Sequence, residues 1–111
     1  MRVTGFLAAL AFVTLSCSDT QTGPVADIVA EGTAFSPATV TTTATHKIII
    51  WGFAGGPHAI AFEDGATGSG TRSSGVFQRD YTAVAAGTHR FRCTVHSTDF
   101  ATGMVGSVIV P

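Results

Sequence analysis

The sequence is poor in charge and in sulfur. Of its 111 residues, 12% are charged, the formal net charge is −1, and there are two cysteines and two methionines. The few basic residues are scattered and form no run, which argues against nucleic acid as a partner. A chain of this length can build one small domain around a single core.

The sequence also lacks an apolar run long enough to cross a membrane. The run at the N-terminus covers residues 5–15 and follows a single basic residue, Arg2. A membrane-spanning helix needs about 20 apolar residues, whereas this length and position are typical of a signal peptide. The run ends in Leu15-Ser16-Cys17, which resembles a bacterial lipobox, where the cysteine is lipidated after cleavage.

These features predict three segments. They are a leader over residues 1–16, a polar tether over residues 17–24 and a folded domain over residues 25–111. We expect export to the periplasm or cell envelope, with a lipid anchor at Cys17 as the only attachment to a membrane. Simple secretion without an anchor and a buried N-terminal helix are the alternatives.

No segment of the predicted domain has a helical period. Its apolar stretches are short, rich in β-branched and aromatic residues, and bounded by Gly, Pro, Ser and Thr, which is typical of strands. Residues 47–51 are apolar enough for a central strand buried on much of both faces. Residues 78–84 and 89–93 alternate, and Ala86-Gly87 predicts a tight turn that joins them as a hairpin. Residues 64–74 predict a long exposed loop. The predicted strands cover residues 25–31, 38–43, 47–53, 58–63, 76–84, 88–94 and 105–110, which favours an all-β sandwich.

Cys93 has no evident disulfide partner, because Cys17 lies at the processing site. Cys93, His96 and Met104 bring a thiolate, an imidazole and a thioether into one short stretch of chain. Soft sulfur donors suit reduced copper, and imidazole suits both oxidation states. His58 begins a predicted strand after Gly-Gly-Pro and completes a set of two histidines, one cysteine and a weak axial methionine. The sequence therefore predicts a site for one copper ion.

Other chemistries fit these residues less well. Cys93 and His96 lie close enough in sequence to suggest a thiol nucleophile with its base, but no carboxylate is placed to orient the histidine. Zinc deaminases need motifs that are absent, and structural zinc sites rarely use methionine. Multicopper enzymes need further copper sites and domains. We therefore expect no enzymatic activity.

The three segments that carry the candidate ligands resemble the plastocyanin family of blue copper proteins, as do residues 35–40 and 50–51. They are residues 57–62 (Pro-His-Ala-Ile-Ala-Phe), residues 86–96, which run into Cys93-Thr-Val-His96, and residues 103–110 (Gly-Met-Val-Gly-Ser-Val-Ile-Val). The resemblance implies a cupredoxin-like Greek-key β-sandwich of seven to eight strands. It also implies a monomer with one type 1 copper ion, which carries single electrons between transient redox partners. Copper storage or delivery is the alternative, although a chain whose only methionines are Met1 and Met104 offers few exchangeable ligands.

The sequence departs from the family pattern at three places. Residues 97–103 make the loop between His96 and Met104 longer than usual. Ala59 replaces an asparagine whose side chain braces the ligand loop, and Arg92 replaces a tyrosine of plant plastocyanins. Within the long loop, Phe100 is a candidate for an exposed apolar docking patch with Pro57 and Ala101, or else for packing. His46 and His89 are expected to face solvent.

Overall fold

The computed structural model describes residues 25–111. The predicted leader and tether, with Cys17, lie outside the described residues. In the part of the chain that is described, no helix is long and apolar enough to cross a membrane. The regular structure there consists of nine strands: β1 (Ile28–Glu31), β2 (Ala34–Ser36), β3 (Thr39–Thr41), β4 (Ile48–Ala54), β5 (His58–Phe62), β6 (Gly70–Arg72), β7 (Val76–Asp80), β8 (Gly87–Cys93) and β9 (Val105–Val110).

The strands form two sheets that pack face to face. The first sheet has the order β2-β1-β4-β7, and the second has the order β3-β9-β8-β5-β6. Both sheets are mixed, because β1 pairs with β4 and β3 pairs with β9 in parallel. The all-β sandwich predicted from the sequence is confirmed, with nine strands instead of seven to eight. The additional strands β2 and β6 have three residues each, too short to show an alternating pattern.

The core lies between the sheets and is dominated by aromatic rings. Trp51 of β4 contacts Phe91 of β8 edge to face, with ring centroids 5.3 Å apart, and Phe62 of β5 at 5.4 Å. Phe91 also meets Phe35 of β2 edge to face at 4.8 Å. Each such pair contributes about 0.5–1.5 kcal/mol beyond the area that it buries. The rings therefore fix the two sheets, and with them the ends of β5 and β8, relative to each other.

The prediction for residues 47–51 is wrong in one respect. β4 is an interior strand of its sheet, but its burial alternates, with Ile49 and Trp51 buried and Ile48 41% exposed. The reason is that a two-layer sandwich covers only the inner face of each sheet. A strand buried on both faces would need a third layer.

The predicted hairpin around Ala86-Gly87 is also wrong. β7 ends at Asp80 and pairs with β4, whereas β8 pairs with β5 and β9 in the opposite sheet. Residues 81–86 therefore connect one sheet to the other, and Tyr81, the first residue of this connection, is buried. The predicted loop over residues 64–74 contains β6, which pairs with β5 at the edge of the second sheet. Alternation in a sequence shows that a strand has a buried face but does not show which sheet it joins.

Candidate metal centre

The ends of three neighbouring strands meet at one pole of the sandwich. His58 is the first residue of β5, Cys93 is the last residue of the antiparallel β8, and Met104 directly precedes β9. The backbone N–H of Cys93 donates to the carbonyl of Met104 over 2.9 Å. Antiparallel pairing thus brings residues that are far apart in sequence to the same end of the second sheet.

Three of the four predicted ligands already face one another. The Sγ atom of Cys93 lies 3.8 Å from Nδ1 of His58 and 3.6 Å from Nδ1 of His96. The ligand atoms of these three residues all lie within 4.8 Å of one another. Distances of this size between donors leave room for one ion bonded to all three, since metal–nitrogen bonds are about 2.0 Å and metal–sulfur bonds about 2.3 Å in comparable sites.

The tautomer of His58 follows from its surroundings. Its Nε2 lies 2.9 Å from the carbonyl oxygen of Ala54, the last residue of β4. A carbonyl oxygen can only accept, so Nε2 carries the proton and donates it. Nδ1 is then left with a free lone pair that points toward Cys93. A hydrogen bond of this kind fixes the ring orientation of a metal-binding histidine.

Cys93 has the environment of a metal ligand. It is fully buried and forms no disulfide among the described residues. A buried free cysteine can be a simple packing residue, but here two imidazole nitrogens face its sulfur. Two nitrogens and one thiolate form the donor set that suits copper in both oxidation states. These residues therefore fit a copper ion.

Met104, the predicted axial ligand, is fully buried at the same pole and belongs to the core cluster. Gly103 before it has a φ of 83°, and a Cβ at that position would lie 2.9 Å from the carbonyl oxygen of His96. Only glycine allows the chain to return so closely to His96. The ligand role of Met104 itself stays a prediction.

Ala59 stands where the family usually has asparagine, but its backbone still joins two segments of the metal centre. Its carbonyl accepts a hydrogen bond from the N–H of Thr94 over 2.8 Å. Thr94 follows Cys93 directly, so this bond joins the segment that carries His58 to the segment that carries Cys93. The backbone thus connects the two segments even though alanine has no polar side chain.

The loop over residues 97–103 is compact. One carboxylate oxygen of Asp99 accepts hydrogen bonds from the N–H groups of Ala101 and Thr102 over 2.9 Å and 2.8 Å. These donors lower the pKa of Asp99 below its ordinary value. The buried Ser97 hydroxyl lies 2.6 Å from the carbonyl oxygens of Asp99 and Thr102. Hydrogen bonds within the loop therefore hold it in a compact form.

The remaining histidines differ from one another. His46 is exposed, as predicted, and its Nε2 lies 2.9 Å from the carboxylate of Asp27. His89 was expected to face solvent but is half-buried, with Nε2 2.7 Å from the carbonyl oxygen of Ala85. Both lie away from the His58, Cys93 and His96 cluster, which is the sole group of three or more potential ligands within residues 25–111.

Sequence reasoning missed the residues that support the centre. The carbonyl of Ala54 has no signal in the sequence, because any residue offers one. Arg90 has no signal beyond its place on an alternating strand, and Arg92 stands out only as a departure from the family's tyrosine, yet both hydrogen-bond to the loop after His96. The unusual length of that loop and the replacement at Arg92 are the two sequence signals that new contacts exist there.

A two-sheet sandwich with a His-Cys-His cluster at one pole defines the class of blue copper proteins, the cupredoxins. No protein-family profile matches the chain. The chain is 32% identical to plastocyanin A/B of Petroselinum crispum over 89 residues, which is 71% of this chain and 89% of that protein. It therefore belongs to the plastocyanin family, and one copper ion is its cofactor.

The fold agrees with this assignment. The structure matches a mutant plastocyanin of a fern, solved in oxidised and reduced forms, with a TM-score of 0.53 and 23% sequence identity. The match covers 70% of this chain and 88% of the fern protein. At this identity the likeness concerns the fold alone, and it places the chain among the β-sandwiches of the cupredoxin type.

Proposed function

We propose that this protein carries single electrons between redox partners, with one copper ion held by His58, Cys93, His96 and Met104. The observation that carries the proposal is the convergence of Cys93 Sγ with the Nδ1 atoms of His58 and His96. When bound, copper supplies a one-electron couple, Cu(II)/Cu(I), without making a bond to a substrate. On this proposal the protein is a carrier and has no enzymatic activity.

The support for electron transfer is the rigidity of the donors. His58 and Cys93 are fully buried, and the Ala54 carbonyl fixes the His58 ring. Donors held by a packed fold move little when the charge at the site changes. A site for storage or delivery would instead need ligands that exchange readily, and here two of the three clustered donors are closed off from solvent.

The partners are proposed to dock briefly at the pole that carries His96. Pro57 and Ala101 are exposed there, Val95 is 45% exposed, and Phe100 is half-buried. A small, partly apolar face suits transient contacts, which bury less surface than permanent interfaces. Docking at this face would bring a partner to the histidine that reaches solvent, and we expect the carrier itself to be a monomer.

Copper loading tests the site. Copper(II) added to the metal-free protein should give an intense visible band from thiolate-to-copper charge transfer, and Cys93→Ser should abolish it. His46→Gln is the matched control, because His46 lies outside the cluster, and it should leave the band unchanged. A band that persists in Cys93→Ser would refute the assignment.

A second measurement separates electron transfer from storage. A carrier should be reduced and reoxidised reversibly and should keep its copper in both states during cyclic voltammetry. Loss of copper on each reduction would instead favour storage or delivery.

We also propose that the protein is exported and held at the cell envelope through a lipid on Cys17. The lipobox-like segment Leu15-Ser16-Cys17 supports this proposal. Cys17→Ala should release the protein to the soluble fraction or stall its processing, as seen by fractionation and mass spectrometry of the mature N-terminus. Soluble wild-type protein with an unmodified N-terminus at another residue would point to simple secretion.

A further inference from the structure

The long loop between His96 and Met104 lies against the outer face of the second sheet. β8 is the middle strand of that sheet. Its side chains alternate between the two faces, so that Phe91 and Cys93 point into the core while Arg90 and Arg92 point outward. Both outward arginines reach the loop. Its attachment to the sheet therefore depends on two side chains of the strand that delivers the cysteine.

Arg92 makes the closer contacts with the loop. Its Nη1 donates a hydrogen bond to the carbonyl of Ser97, the residue that follows His96. Its guanidinium carbon lies 5.3 Å from the centre of the Phe100 ring, which makes a cation–π contact. The side chain is half-buried, and its Nε is buried with no hydrogen-bond partner in the described part of the chain. Arg92 thus contacts both the first residue and the middle of the loop.

Arg90, two residues before Arg92 on the same face of β8, contacts the same loop. Its Nη1 donates to the carbonyl of Phe100 over 3.3 Å, and the guanidinium pairs with Glu63, just beyond β5. The acid aligns the guanidinium, which then holds the middle of the loop. The hydrogen bond of Arg90 reaches Phe100 in the middle of the loop, whereas that of Arg92 reaches Ser97 next to the ligand. Arg92 therefore has the more direct influence on His96.

We propose that Arg92 is a positioning residue, which holds Ser97 and Phe100 against the sheet and so fixes His96 relative to Cys93. His96 is the ligand that needs such support, because His58 is fixed by the Ala54 carbonyl and Cys93 is buried in β8. His96 reaches solvent and directly precedes the loop over residues 97–103. The inference rests on the proposed copper site, since it concerns the geometry of one of its ligands.

The guanidinium also carries charge, and its two effects can be separated. A cation near the site favours the less positive, reduced state and so shifts the reduction potential without moving a ligand. A displaced ligand changes the visible and electron paramagnetic resonance spectra as well. Arg92→Met removes the charge and the donor but keeps an apolar chain, whereas Arg92→Lys keeps the charge and a donor. Lys47→Met is the control, since Lys47 precedes β4 at the end opposite Ala54.

The experiment uses the full-length protein with copper(II) as the probe. Arg92→Met should change the intensity ratio of the charge-transfer bands and the copper hyperfine splitting. It should also speed the transfer of copper to a chelator about tenfold, as expected when the support of a metal ligand is removed. Arg92→Lys keeps the charge and one donor but loses the planar group that stacks on Phe100, so its changes should be smaller than those of Arg92→Met without vanishing. Lys47→Met should match wild type. In the copper-free protein, NMR order parameters of residues 98–102 should fall most in Arg92→Met and stay unchanged in Lys47→Met.

The outcomes distinguish this inference from the proposed function. A wild-type protein that gives no charge-transfer band would overturn the copper site, and unchanged loop order in copper-free Arg92→Met would then also overturn the role of Arg92. If the wild type is coloured, a shift in potential without any spectral change would show an effect of charge alone and overturn positioning. If Arg92→Met fails to fold, Phe100→Leu can be used instead, because it removes the ring on which Arg92 stacks. Phe100→Leu should then change the spectrum in the direction expected for Arg92→Met, and an unchanged spectrum would refute the proposal.

Discussion

The substitution Gly106→Ala tests whether close packing around Phe91 stabilises the protein and positions the metal centre. This residue of β9 lies opposite Phe91 of β8. A Cβ added at Gly106 would lie 2.4 Å from Cζ of Phe91 and 2.5 Å from the carbonyl oxygen of Ala38. Neither group can move away easily. Phe91 packs between Phe35 and Trp51, and the Ala38 carbonyl accepts a hydrogen bond from the N–H of Ser107 over 2.8 Å.

Gly106→Ala should therefore destabilise the protein. Overpacking of a tight core costs about 1–3 kcal/mol, and the backbone contact places this site at the upper end of that range. Loss of glycine flexibility in the unfolded chain offsets only about 0.4–1 kcal/mol. The net loss is about 2–2.5 kcal/mol, and each kcal/mol lowers the Tm of a domain of this size by about 4–8 °C. Displacement of Phe91, two residues before Cys93, should also alter the charge-transfer band.

Thermal unfolding of the copper-free protein and the visible spectrum of the loaded protein measure the two effects. Gly52→Ala is the matched control, since Gly52 is also inside a strand and its added Cβ would meet only the Cβ of Ala26, at 3.0 Å. The methyl group of Ala26 is easier to displace than a buried ring or a carbonyl. Equal unfolding temperatures for Gly106→Ala and Gly52→Ala would refute overpacking at Gly106.

Two further predictions follow from single side chains. Burial raises the pKa of Tyr81 to about 12 in the folded protein, above the unfolded value of about 10. The stability that this phenol contributes is therefore present below about pH 10 and is lost as the pH rises toward 12. Urea unfolding should show that the free energy of unfolding falls less between about pH 8 and about pH 11 in Tyr81→Phe than in wild type; equal losses would contradict the raised pKa. Tyr81 is the only tyrosine, so the change in tyrosine absorbance with pH reports its titration directly. Met104→Leu keeps the core volume at a cost under about 1.5 kcal/mol and should retain the copper colour while shifting the reduction potential in voltammetry; loss of copper, or an unmoved potential, would exclude a tuning axial role.

The candidate centre could be predicted from the sequence because its ligands are chemically distinctive. Cys93, His96 and Met104 sit in one stretch, and strand patterns on either side place them at one pole. His58 was identified from its position at the start of another strand, and the structure brings its Nδ1 within 3.8 Å of the Cys93 sulfur. The strand pattern also determined the fold class, because the period of two is a local property of the chain.

The pairing of strands could not be predicted in the same way. The alternating segments before and after Ala86-Gly87 have the local features of a hairpin, yet β7 and β8 belong to different sheets. The reason is that Trp51, Phe62 and Phe91 pack across the interface between the sheets, and this long-range packing outweighs the turn preference of two residues.

The sequence by itself determined which residues can bind the metal, because the chemistry of thiolate, imidazole and thioether belongs to the side chains. Only the tertiary structure decided how those donors are held. The Ala54 carbonyl selects the tautomer of His58, and Arg92 contacts the loop after His96. A carbonyl is common to every residue, and an outward arginine looks like any other solvated position. Their roles arise only when folding brings them within a few ångströms of the ligands.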